Sequence, residues 1–151
     1  MSEIIVRPAR VDDLEAIVQG NLGLARETEG KALDLETVRA GTRALFEDPA
    51  RGFYLVAERD GRVIGQLCVT FEWSDWRCGN FFWIQSVWVY PEARRLGAYR
   101  MLHSRVIDIA HERGDVIGLR LYVMDHNGRA KSTYRSLSME PTSYQVYESL
   151  L

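Results

Sequence analysis

The run NFFWIQSVWVY, residues 80–90, limits what this chain can fold into more than any other stretch. It is aromatic or β-branched at most positions and interrupted only by Gln85 and Ser86, so an extended backbone here is apolar on both faces. Such a strand has no side to turn toward water and belongs inside a sheet covered on both sides. Directly after it comes PEARRLGAYR, residues 91–100, a turn with arginines ahead of Gly97 and then a helical stretch. A central strand that passes through a basic, glycine-bearing turn into a helix brings unpaired helix amides and cationic side chains to one place.

The remaining chain supplies partners for that unit. A β-like run, Ile4–Arg7, ends at Pro8. A helix follows, with Asp12 and Glu15 at capping-box spacing and Leu14, Ile17, Val18 and Leu22 on one face. A second helix is expected over about Asp34 to Glu47, with Leu35, Val38, Leu45 and Phe46 inward, stopping before Pro49. GFYLVAERDGRVIGQLCVTF reads as a hairpin turning at Asp60-Gly61, and SDWRCGN turns the chain again into the apolar strand. Leu102, Val106, Ile109 and Ala110 make the stripe of a helix from about Ala98 to Arg113, closed by Gly114. GLRLYVMD is expected as another central strand, GRAKSTYRSL as a helix and TSYQVYE as a last strand. The order β α α β β β α β α β describes a mixed α/β, or α+β, fold in a single domain spanning residues 1–151.

Composition excludes several classes of partner. With 19 basic and 21 acidic residues the formal charge is −2, and no long run of one sign occurs, which argues against nucleic acid or an anionic membrane as partner. Cys68 and Cys78 have neither CxxC spacing nor a nearby histidine cluster, so no metal is expected, and reduced thiols fit the cytoplasm. His103, His111 and His126 are read as surface or helix-end residues. No signal-peptide core or membrane-length apolar run is present in the sequence.

Any anion site is therefore local. Gly97 lets a ligand approach the backbone, the start of the following helix offers amides, and Arg94, Arg95 and Arg100 add charge-assisted contacts. Neither GxxxxGK[ST] nor GxGxxG is present, so a P-loop or a dinucleotide fold is not indicated.

The strand, the turn R-x-x-G formed by Arg94 and Gly97, and the later LYVMDHNGRAKSTYRSLSM resemble the GNAT superfamily of N-acetyltransferases. In that family the pattern [RQ]-x-x-G-x-[GA] holds the pyrophosphate of acetyl-CoA; here Tyr99 stands where Gly or Ala is usual. Asn127, Ala130 and Tyr134 match the family's N-x-x-A-x-x-x-Y segment, and Ser138 replaces the glycine that usually follows. VTFEWSDWRCGNFFWIQSVWV is similar to the hairpin of diamine acetyltransferase-like members.

The resemblance implies a GNAT-like fold, with a mostly antiparallel central sheet, a splayed parallel strand pair at the cofactor site, and about four flanking helices. It implies an acetyl-CoA-dependent N-acetyltransferase acting on a primary amine of a small molecule or peptide by direct attack. Backbone groups of Val87, Trp88 and Val89 would meet the pantetheine arm and the thioester oxygen. Arg94, Arg95, Leu96, Gly97, Ala98, Tyr99 and Arg100 would form the pyrophosphate turn. Asn127, Ala130 and Tyr134 would complete the cofactor segment, with Tyr134 as general acid. Many relatives carry Glu where this chain has Gln85, which cannot accept the proton, so Glu72 is the first candidate base, followed by Glu27 and Glu92. The alternative is a non-catalytic acyl-CoA-binding module. A homodimer is an expectation from the family.

Overall fold

The computed structural model describes residues 2–151, which fall into two units, one ending at Leu121 and the other covering Tyr122–Leu151. The larger unit is built on five strands: β1 (Ile5–Pro8), β2 (Gly52–Arg59), β3 (Arg62–Ser74), β4 (Gly79–Val89) and β5 (Val116–Leu121). They lie in the order β1-β2-β3-β4-β5, antiparallel except for the parallel pair β4–β5. Helices α1 (Leu14–Glu29), α2 (Leu35–Glu47) and α3 (Ala98–Arg113) belong to this unit, and α4 (Gly128–Ser136) to the smaller one.

The apolar pattern divides between two faces. Leu55, Leu67, Val69, Phe82 and Ile84 pack with Leu102 and Val106 of α3 on one side. Tyr54, Val56 and Cys68 meet Ile17 of α1 and Leu45 and Phe46 of α2 on the other. Full burial of each large aliphatic or aromatic side chain contributes about 1.5–3 kcal/mol. The β2–β3 turn has φ of 53° at Asp60 and 72° at Gly61, the positive values that a two-residue hairpin matching strand twist requires.

Local signals place most helix ends. Asp34 caps α2 by accepting from the Thr37 amide at 2.9 Å, and α3 has the bounds its apolar stripe predicts. The first helix starts differently. Asp13, not Asp12, supplies the carboxylate, accepting from the Arg10 amide at 2.7 Å and from Arg7 at 2.8 and 3.0 Å, in a short 3-10 turn ahead of α1. Glu15 is drawn instead to Arg39 of α2. Leu35 is exposed rather than inward, because it is the first residue of α2.

Two strand expectations are corrected. β5 is an edge of the sheet, not a centre, and residues 142–148 form no strand. Alternation of Tyr144 and Val146 with polar neighbours favours extension, but a strand needs a ladder partner, and both side chains are largely exposed. Among the described residues no helix is long and apolar enough to cross a membrane.

Candidate active site

The site begins at a defect in β4. Between the pairs Cys68↔Gln85 and Gln66↔Trp88, one β3 residue faces two of β4, Ser86 and Val87, and Ser86 has a left-handed φ of 51°. This β-bulge inverts the side-chain alternation. Before it Phe82 and Ile84 face α3; after it Val87 and Val89 do, while Trp88 turns to α1, where a Cβ on Gly23 would fall 2.9 Å from its ring.

At the same level β4 loses its parallel partner. Pairing with β5 ends at Ile84↔Leu121, and β4 continues to Val89. The Tyr90 amide donates to the Ile64 carbonyl at 3.0 Å, so main-chain groups of Tyr90 and Trp88 face β3 and those of Val87 and Val89 face the unpaired edge. Of the three residues expected to offer backbone contacts, Val87 and Val89 thus turn main-chain groups to this edge and Trp88 turns its own to β3. The Val89 carbonyl on that edge accepts from Arg94 Nε at 3.0 Å.

Beyond a 3-10 turn, Pro91–Ala93, the chain reaches the start of α3. Arg95 and Gly97 both have left-handed backbone, with φ of 66° and 85°. Gly97 is the N-cap, no side chain caps the helix, and a Cβ on Gly97 would meet nothing within 4 Å. The result is an open helix N-terminus with its partial positive charge available to an anion. Arg95, Leu96, Gly97 and Arg100 are exposed and Ala98 is buried. Tyr99 packs against the α3-side core with its hydroxyl 3.4 Å from His103 Nδ1, one turn further along the helix. Its ring thus runs down the helix flank. His103 is buried, contrary to the surface position read from the sequence, and burial, reinforced by Arg100, pushes its pKa down.

Arg94 is engaged already: Nη1 and Nη2 donate to the two carboxylate oxygens of Glu27 at 2.8 and 2.6 Å, and the guanidinium lies 5.0 Å from the Trp88 ring centroid. The bidentate Glu27 pair raises its pKa further. Glu27 is therefore an ion-pair partner rather than a spare base.

Glu72 does not stand at the site. It lies opposite Phe81 and accepts from Arg120 Nη1 at 2.6 Å, while Arg120 covers the Phe81 ring at 3.6 Å. Five residues along β4 separate Phe81 from the bulge, about 17 Å at strand rise. The Gln85 amide is held by Thr70 Oγ1. Sequence reading missed the Glu27–Arg94 pair, which joins residues 67 apart, and the buried Gln66, whose Nε2 donates to Asn21 Oδ1 at 3.0 Å and to the Ser86 carbonyl at 3.5 Å.

In the smaller unit, Asn127 Oδ1 caps α4 by accepting from the Ala130 amide at 3.1 Å. Tyr134 is half-buried, and burial pushes its phenol pKa up, which keeps it protonated and able to donate. α4 closes with Ser138 N donating to Arg135 O and Met139 N to Tyr134 O, both at 3.0 Å, and Ser138 takes a left-handed φ of 64°. That is the backbone for which glycine is preferred.

Cys68 is buried, its thiol pushed up to about 12 by desolvation, so it is no nucleophile. No group of three His, Cys, Asp or Glu side chains among the described residues could hold a metal.

A parallel strand pair that parts beside an open helix N-terminus offers unpaired main-chain groups and an anion-binding helix end to one extended ligand. The chain belongs to the acetyltransferase (GNAT) family, whose model matches residues 20–139, and is an N-acetyltransferase. It is 31% identical over 147 residues to the uncharacterised N-acetyltransferase YhfO of Bacillus subtilis (strain 168), covering 96% of this chain and 95% of that protein. It is also 31% identical over 78 residues to the thialysine N-epsilon-acetyltransferase of Bos taurus, a match covering 52% of this chain and 45% of that protein. A solved structure of a possible acetyltransferase from Clostridium difficile 630 superposes with a TM-score of 0.91 at 44% identity, covering 98% of this chain and 97% of that one.

Proposed function

We propose that the protein transfers the acetyl group of acetyl-CoA to a primary amine of a small molecule or peptide, residues 1–151 acting as one domain. The observation that carries this reading is the unpaired β4 edge beyond Ile84, leading into the open N-terminus of α3. The Val87 and Val89 main-chain groups on the edge left by β5 suit the amide-bearing pantetheine arm, and the Val87 amide suits the thioester oxygen. A preorganised donor to a developing oxyanion contributes about 3 kcal/mol to the barrier. Arg95, Arg100 and the α3 amides, approached over Gly97, suit the pyrophosphate.

The donor supplies an activated acyl group. The amine nitrogen bonds to the carbonyl carbon, the carbon–sulfur bond breaks, and the Tyr134 hydroxyl protonates the departing thiolate. Tyr134's role rests on the N-x-x-A-x-x-x-Y match and on its raised pKa. The amine must arrive neutral. With Glu27 and Glu72 committed to arginines, Glu92 or water takes its proton. The thialysine enzyme among the relatives makes thialysine the first acceptor to try, and the resemblance of the β3–β4 hairpin to diamine acetyltransferase-like members adds polyamines. Further elements of the reading are a cytoplasmic enzyme and a homodimer, the latter using the exposed Trp73 and Trp76 of the β3–β4 hairpin.

Incubation with acetyl-CoA and an amine panel tests the reading by release of free thiol. Amine-dependent release is expected. Thermal stabilisation by CoA with no release under any amine would instead identify a binding module.

A further inference from the structure

We propose that Arg94 is a positioning residue, a strut between α1 and the end of β4, and that it governs use of the acceptor rather than holding phosphate; this rests on the acetyl-CoA reading above. Three of its nitrogens are engaged within the protein. Nε donates to the Val89 carbonyl at 3.0 Å, and the fork grips Glu27 at 2.8 and 2.6 Å. A bidentate arginine–carboxylate pair is directional and charge-assisted, and it neutralises most of the field the arginine would otherwise offer a pyrophosphate. Arg95 and Arg100 lie exposed at the mouth of α3.

The strut ties α1 to the end of the strand edge on which the thioester is proposed to lie. Val89 ends the unpaired edge, and Glu27 lies in the last turn of α1. Between them the Trp88 ring packs under the Arg94 guanidinium at 5.0 Å and against α1 so tightly that a Cβ on Gly23 would be 2.9 Å away. Higher on the same helix a Cβ on Gly20 would fall 2.2 Å from Gln66 Oε1, and Gln66 in turn contacts the Ser86 carbonyl of the bulge. α1 is thus seated directly on the bulged segment of β4, on the sheet face opposite α3. Freeing Arg94 would loosen that helix against the strand that presents the thioester, while leaving the phosphate turn itself intact.

The test compares wild type with Glu27→Gln, Arg94→Gln, the double variant and Arg94→Lys, using calorimetric titration of CoA and steady-state kinetics with thialysine or spermidine, whichever turns over. Each single Gln variant is expected to keep the CoA Kd within about twofold while kcat/KM for the amine falls about tenfold. The double variant should be no worse than the poorer single one, because both remove one interaction. Arg94→Lys should recover little, since a point charge cannot span both carboxylate oxygens and the Val89 carbonyl. A tenfold or greater loss of CoA affinity in Arg94→Gln with Glu27→Gln unaffected would overturn the proposal and restore Arg94 as a phosphate ligand. If Arg94→Gln fails to fold by circular dichroism, Glu27→Gln decides alone: an acceptor defect supports the strut and unchanged kinetics overturns it. Wild type that neither binds CoA nor releases thiol would remove the wider reading instead.

Discussion

Asp13 shows how one side chain can be misread by a single position. Both Asp12 and Asp13 can start a helix, but only Asp13 is turned inward, where Arg7 and the Arg10 amide meet its carboxylate. Burial alone would raise its pKa; the hydrogen bonds from Arg7 and Arg10 outweigh it and hold the carboxyl below the ordinary range. The folded state therefore binds this proton less readily than the unfolded chain. The resulting stability is fully present above the unfolded pKa near 4 and is lost as pH falls through the lower folded value. Asp13→Asn should cost roughly 3 kcal/mol near neutral pH, because Arg7 loses a partner, and should flatten the acid limb of a denaturation series. Ser138→Gly should stabilise by about 0.5 kcal/mol, relief of left-handed strain outweighing the entropy of glycine; urea melts would read it. Tyr134→Phe should lower kcat about a hundredfold with CoA affinity unchanged. In the wild type, activity should climb with pH as the amine deprotonates and fall only above the ordinary tyrosine value near 10, since burial raises the Tyr134 pKa. An alkaline limb that survives Tyr134→Phe would remove that assignment.

At the scale of elements, α3 was legible because three signals agree: the stripe Leu102, Val106, Ile109 and Ala110, Gly97 ahead and Gly114 behind. The two glycines have φ of 85° and 76°, which other residues adopt only under strain. Gly97→Ala should therefore lower stability by about 1 kcal/mol and weaken CoA binding together, as thermal melts with and without CoA would register. The bulge in β4 was not legible. A strand apolar on both faces hides a change of parity, and only Ser86, with its left-handed φ, marks where register shifts. The polar pair Gln85-Ser86 was visible as an interruption, but nothing local said that it unhooks the strand from β5. The absent last strand has the same origin: alternation around Tyr144 encodes a tendency to extend, while pairing depends on a distant partner.

For the whole molecule, family and fold class were readable because the Arg94–Gly97 and Asn127–Tyr134 patterns sit at fixed places on a recurring scaffold. Charge partners were not, since Glu27 with Arg94 and Glu72 with Arg120 are joined only by folding across 67 and 48 residues. Two residues first read as candidate bases thus become ion-pair partners. In the proposed reaction an amine attacks the thioester directly on the β4 edge, with no acyl-enzyme, consistent with Cys68 being buried and protonated. Initial rates of thiol release measured over a grid of acetyl-CoA and amine concentrations test this most directly. The account predicts intersecting double-reciprocal lines and no release without amine. Parallel lines with acetyl recovered on the protein, or no amine-dependent release at all, would contradict it.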